Sequence, residues 1–339
     1  SNRGKRSLAI DFTKPAGQKL IRGLAERADV LIENFKVGSL ARYGLGYDDL
    51  RGRNQRLIYC SISAFGQDGP EAGGAGYDAM IQGMSGLMSV TGVPDGEPGA
   101  GPIKVGVAVS DLLSGMYALS AILGALYERE KSGRGQLIDL ALLDTQVAAL
   151  ANQSLNYLIS GVPPGRQGTA HPNIVPYQAF ATADGYLMLA VGNDRQFERF
   201  CGVAGSPGLA ADERYRTNAG RVANRGALVP EIKRLCRQKT TRQWLDALAT
   251  AGVPCGPIND LAQVFDEPQV QHRKMRFDLP HPQGGQVPQV RNPILYSRTK
   301  LEYREPPPLL GEHTQAVLQQ ELGISASEFE SLRSDGVVS

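Results

Sequence analysis

LAIDFTKPAGQKLIRGLAERADVLI, residues 8–32, carries two periodicities in one short span. Leu8-Ala9-Ile10 and Val30-Leu31-Ile32 are brief apolar runs of strand type. Between them, residues 15–28 begin on a proline and set Leu20, Ile21 and Leu24 on one stripe, which predicts a helix. A further strand-like run follows at Leu57-Ile58-Tyr59. Strand and helix alternating in this order imply βαβ units and a parallel sheet, so the fold class is α/β.

Working outward, a Gly-rich loop spans residues 66–76, a small-residue helix starts near Tyr77, and a second Gly/Pro stretch covers 92–106. Both loops are candidate walls of a site. Residues 107–129 are apolar on nearly every face, which predicts a helix buried on all sides. A strand is expected over 137–140 and a helix over 143–159. The breaker cluster Gly161-Val162-Pro163-Pro164-Gly165 then marks a domain boundary. Beyond it, a strand at 186–191 and amphipathic helices at 228–237 and 241–249 read as a smaller α+β domain. The expected limits are 1–165 for a large domain, 175–290 for a small one, and 300–339 for a C-terminal segment returning to the first.

Length and charge bound the function. A chain of 339 residues favours two domains. With 36 basic and 34 acidic residues the net charge is +2, which gives no general electrostatic reason to expect nucleic acid or an anionic membrane as partner. Cys60, Cys201, Cys236 and Cys255 are far apart and lack zinc-ligand spacing, so no metal is expected and the thiols read as reduced packing residues. No uninterrupted run of about 18 apolar residues appears, and the basic start at Arg3 to Arg6 is not followed by a signal-peptide core. The expected location is cytoplasmic.

There is no nucleophile elbow, phosphate-binding P-loop, dinucleotide fingerprint or zincin motif. The anomaly is Asp111, a carboxylate in the first turn of the apolar helix, between Val105-Gly106-Val107-Ala108-Val109 and Leu112-Leu113. One reading is a helix-end charge that stabilises by ~0.3–1 kcal/mol. The other is a partly desolvated nucleophile able to form a covalent intermediate.

The neighbourhood decides between them. Asp29-Val30-Leu31-Ile32-Glu33-Asn34-Phe35, followed by Gly38, Arg42 and Gly44-Leu45-Gly46, resembles a block of the type III CoA-transferases, the formyl-CoA transferase/carnitine dehydratase-like family. The resemblance continues in order through 76–86, Asp111-Leu112-Leu113-Ser114-Gly115, 131–136, 252–257 and 308–314, and so covers essentially the whole chain. It implies that Asp111 accepts the acyl group of a CoA thioester as a mixed anhydride and then becomes an aspartyl-CoA thioester. CoA enters as substrate, with no prosthetic group.

By the same resemblance, Asn34, Phe35 and Arg42 surround bound CoA, with Phe suited to adenine and Arg to phosphate. Tyr77 and Asp78 fall where related α-methylacyl-CoA racemases place a His-Asp pair. A phenol is a poor neutral-pH base at an α-carbon, which favours transfer over racemisation. The segment 168–180, with 105–111, most resembles the succinyl-CoA:glutarate and related dicarboxylate CoA-transferases. His171, Asn173 and Arg166 are then candidates to hold a distal carboxylate, whereas Arg134 reads as a turn charge.

The resemblance further implies a Rossmann-like large domain built from both chain ends, a small domain, and a homodimer of interlocked rings. Family members begin upstream of the block matched by residues 2–7, with a strand and helix that contribute to the nucleotide site, so some CoA contacts are expected outside these 339 residues. Two other readings stay open: an acyl-CoA racemase, and an inactive CoA-binding fragment.

Overall fold

The computed structural model describes residues 2–339 and resolves them into two compact units. The first takes residues up to Val90, Ile103–Pro164 and Arg276–Ser339; the second takes Thr91–Pro102 and Gly165–Met275. Two segments fall in other units than the expected limits give them. Residues 91–102 join the second unit, since Gly168 N donates to Gly92 O at 2.9 Å and Gly92–Val93 pairs with Gly101–Pro102. Residues 276–290 join the first, where Arg3 donates to Val290 O at 2.8 Å and lies over the Phe277 and Tyr303 rings.

In the first unit, α1 (Pro15–Arg27) precedes β1 (Val30–Glu33) and β2 (Ile58–Ser63). They are followed by α2 (Asp78–Met84), α3 (Val109–Ser132), β3 (Leu137–Ala141), α4 (Leu142–Ala149) and α5 (Asn152–Ser160). The sheet is parallel in the order β1-β2-β3, with Val30 opposite Ile58 and Tyr59 opposite Leu137. The central strand is buried on both faces, its Ser61 and Ser63 included. Side chains alternate across it: Ile58 and Cys60 pack on Ala118, Ile122 and Ala125 of α3, while Leu57 and Tyr59 pack on Ala25 and Leu50. Burying one such isoleucine stabilises by about 1.5–3 kcal/mol.

The run Leu8-Ala9-Ile10 does not join this sheet. Ile10 forms an isolated bridge with Val338, and Ala9 N donates to the Thr314 hydroxyl at 3.0 Å, so its backbone groups are satisfied by the C-terminal segment.

The helix expected to be buried all round is not. One face of α3 covers the sheet, and its last turn is fixed by buried Arg129, which donates to Asp29 Oδ1 at 2.8 Å and to Arg56 O at 3.0 Å. The opposite face, Leu112, Met116, Leu119, Leu123 and Tyr127, is exposed at helical spacing. Composition and length alone would let α3 cross a membrane. Its packing against β2 and its buried arginine account for the same residues as a sheet-covering helix. The helix expected over 143–159 is broken into α4 and α5 at Ala151, which has φ 47°.

The second unit is built on an antiparallel sheet of β4 (Tyr177–Ala181), β5 (Tyr186–Ala190) and, later in the chain, β6 (Cys255–Pro257). Helices α6 (Asp194–Val203), α7 (Arg225–Cys236) and α8 (Thr241–Ala251) bury Phe197, Phe200, Ile232 and Trp244 against it. Arg221, fully buried, is compensated: it pairs with Asp194 at 2.9 Å and donates to Val175 O and Tyr215 O.

The chain returns to the first unit as the hairpin β7 (Arg276–Pro280) and β8 (Gln286–Val290), then α9 (Thr314–Leu322) and α10 (Ala326–Ser334). Leu318, Phe329, Val337 and Val338 form a core with Leu20 of α1. The architecture is mixed α/β around a parallel sheet.

Candidate active site

Three segments leaving the carboxyl ends of the parallel strands converge on one cavity of about 290 Å³. Asn34 and Phe35 follow β1, Ser63 and Ala64 end β2, and Leu142 follows β3. Ligands of parallel α/β sheets bind at this end, because the loops there can diverge without disturbing the sheet. Asp111 projects into the cavity from the first turn of α3, and Tyr77 and Asp78 enter from the start of α2.

The Gly-rich loop completes the wall. Its last glycine is required by close approach, since a Cβ on Gly76 would stand 2.5 Å from the Ala64 Cβ. Tyr77 then has extended backbone and caps α2, with its ring 78% exposed at the cavity.

A polar network fixes the head of α3. Asp78 Oδ1 accepts the Ser110 N–H at 2.8 Å, and Oδ2 accepts from Gln82 Nε2 at 2.6 Å. Fully buried Gln82 also accepts the Val105 N–H at 2.9 Å, and Ser110 donates its hydroxyl to Gln146 Oε1 at 2.8 Å. The bond to Ser110 satisfies one of the amides at the N-terminus of α3 that the helix itself leaves unpaired. These bonds place the residue next in sequence, Asp111, at the cavity.

Asp111 has no hydrogen-bond partner among the described residues and lies open to the cavity. Partial burial, and secondly the negative charge of Asp78, push its carboxyl above the ordinary aspartate value of 3.8. The helix N-terminus acts the other way and favours the ionised form. The result is a carboxylate free of hydrogen bonds and more basic than usual, which suits it to nucleophilic attack.

The cavity gathers five of the residues singled out from sequence: Asn34, Phe35, Tyr77, Asp78 and Asp111. Asn34 spends its amide N–H on Ile62 O at 2.7 Å, which ties the loop after β1 to β2. The Phe35 ring meets Phe12 edge-on and stays 46% exposed, so one apolar face is open. Arg42 is exposed on a separate turn, bonded to Ser39, and does not line the cavity. His171 and Asn173 belong to the second unit and are not among its lining residues either. The His171 ring stacks on Tyr177, and its Nδ1 accepts the Asn173 N–H at 3.0 Å. Arg166 pairs with Asp95 and donates to Val93 O.

Lys36 lines the cavity and was missed, although it is the only cation between Phe35 and Gly38. Gln82 was missed as well; its spacing of four from Asp78 on one helix was the available signal. Among the described residues no group of three or more His, Cys, Asp or Glu could hold a metal.

The model of CoA-transferase family III matches residues 1–314. The succinate–glutarate CoA-transferase of Agrobacterium fabrum is 52% identical over 320 residues, which is 94% of this chain and 79% of that protein. The human succinyl-CoA:glutarate CoA-transferase is 41% identical over 337 residues, 99% of this chain and 76% of that protein. Among solved structures, a CAIB/BAIF family protein from Brucella suis is 48% identical, with a TM-score of 0.81 over 94% of this chain and 82% of that one.

Proposed function

This chain belongs to CoA-transferase family III, and from that membership we propose that it moves CoA from succinyl-CoA to glutarate, with Asp111 as the acyl-accepting nucleophile. The observation that carries the assignment is the unpaired Asp111 carboxylate at the head of α3, open to a cavity at the carboxyl ends of a parallel sheet. An oxygen of Asp111 attacks the thioester carbonyl, the C–S bond breaks, and CoA leaves as thiolate with an aspartyl-succinyl anhydride remaining. The thiolate attacks the aspartyl carbonyl, releasing succinate and forming aspartyl-CoA. Glutarate repeats the sequence in reverse: its carboxylate displaces the thiolate, which then attacks the glutaryl carbonyl and frees Asp111. Splitting the exchange in this way lowers each barrier.

Asn34, Phe35 and Lys36 are assigned to the CoA moiety, the open phenyl face to the adenine and the ammonium to phosphate. Arg42 joins them as a phosphate contact outside the cavity itself. Tyr77 flanks the acyl group. Asp78 serves chiefly to hold α3 in place, because both its oxygens are already engaged. CoA thioester is the substrate, without a prosthetic group.

The working form is assigned as an interlocked homodimer, each chain supplying a Rossmann-like large domain and a smaller one. The support is the stripe Leu112, Met116, Leu119, Leu123 and Tyr127, continued in type by Leu155, Leu158 and Ile159 of α5, all exposed in one chain. An exposed apolar stripe of this kind is commonly covered by a partner. The location is assigned as cytoplasmic, where free thiols such as those of Cys201 and Cys236 persist.

Intact-mass measurement after mixing with succinyl-CoA tests the assignment. The native chain is expected to gain an acyl- or CoA-sized adduct, and Asp111→Ala to gain none. Equal adducts on both chains would remove Asp111 from the mechanism.

A further inference from the structure

The second unit contains a cavity of about 480 Å³ that shares no lining residue with the Asp111 cavity. One wall is α7, whose Arg225, Val229 and Lys233 follow at intervals of four and so stand on one face. The opposite wall comes from residues 166–170, with Glu97 as the acid present.

The charges are unevenly compensated. Arg166 is neutralised by Asp95. Arg225 is half-buried, yet its Nη2 donates only to two backbone carbonyls, His171 O and Pro172 O, each at 2.8 Å. Among the described residues no carboxylate forms an ion pair with Arg225 or with Lys233, which lies two turns along the same face. Burial pushes the Arg225 guanidinium below its ordinary value, the direction of a cation without a counter-charge.

Four residues earlier in the same unit, Arg221 is more deeply buried and has its acid, Asp194. A half-desolvated guanidinium left without one is costly unless an anion arrives from outside. Gly226 in the first turn of the twelve-residue α7 lines the same wall, at the positive end of the helix dipole.

We propose that this cavity binds a small dianion, with Arg225 as its anchor and Lys233 as the second cation. The shared ligand chemistry is a pair of oxyanion charges, which a short dicarboxylate or a phosphate group can supply. Binding here goes beyond acyl transfer and needs no chemistry at Asp111.

Titration calorimetry on the full chain carrying Asp111→Ala keeps the two matters apart. Glutarate and inorganic phosphate are titrated separately at low ionic strength. Saturable binding of glutarate alone assigns a dicarboxylate site, and of phosphate alone a phosphoryl site. Arg225→Gln also loosens the loop at 171–172, so exposed Lys233→Glu supplies the decisive comparison. It is expected to weaken binding at least tenfold with an unchanged melting temperature. Affinity unaltered in Lys233→Glu, or no binding of either anion to the parent, would overturn the proposal.

Discussion

The first turns of α2 and α3 each carry an aspartate, and the two have opposite fates. Asp78 accepts from Ser110 N on one oxygen and from Gln82 on the other, so its charge is consumed in joining two helices. Asp111 accepts nothing and faces a cavity. Both carboxylates sit at the favourable end of a helix dipole. Helix position therefore does not separate a satisfied acid from an open one; the hydrogen-bond inventory does. The satisfied acid also raises the proton affinity of the unsatisfied one through its charge.

Gln82→Leu attacks the contrast most strongly. It strands the half-buried Val105 N–H and removes the donor to Asp78, and each polar group left unmet away from water costs about 1–3 kcal/mol. The expected outcome is a melting temperature lower by several degrees and a fall in kcat of about tenfold, with KM for succinyl-CoA little changed. An unaltered kcat would show that the network does not position Asp111.

Asp78→Asn is gentler, because the amide oxygen still accepts the Ser110 N–H while the charge is lost. Removing the repulsion lets the Asp111 carboxyl fall part of the way toward 3.8, burial being the larger cause of its elevation. The acidic limb of the kcat/KM profile is expected to move to lower pH. A limb that stays in place would assign it to another group.

The smallest effect belongs to Asp111→Asn read as stability. A carboxyl whose folded value is raised contributes stability below its unfolded value and loses it as pH rises through the folded one. Ionised Asp111 is thus a net cost at neutral pH. Asp111→Asn should melt slightly higher than the native chain at pH 7, with the advantage shrinking as pH falls toward 3.8. A lower melting temperature at pH 7 would mean that the helix dipole outweighs desolvation.

The sheet was legible because Val30-Leu31-Ile32, Leu57-Ile58-Tyr59 and residues 137–140 are short apolar runs separated by a helical stripe, a local signal. Asp111 was legible as a charge interrupting an apolar segment. The burial of α3 was not, because hydropathy reports that a face is apolar without reporting what covers it, and here one face covers the sheet while the other remains open. The role of Gln82 depends on Val105, 23 residues away, and that of Ser110 on Gln146, 36 away. Such pairings are set by tertiary packing and leave no periodicity to read. The break at Ala151 is likewise silent, since alanine is an ordinary helix former and its positive φ is imposed by its surroundings.

The core that joins Leu20 to Leu318, Phe329 and Val338 has a consequence during synthesis. Leu20 emerges from the ribosome some 300 positions before the side chains that shield it from water. The second unit takes nothing beyond Met275 and can close while the first unit is still waiting. Helix α1 must therefore remain soluble and uncommitted through most of translation. The polar face of α1, with Gln18, Lys19, Arg22 and Glu26, is what such a wait demands.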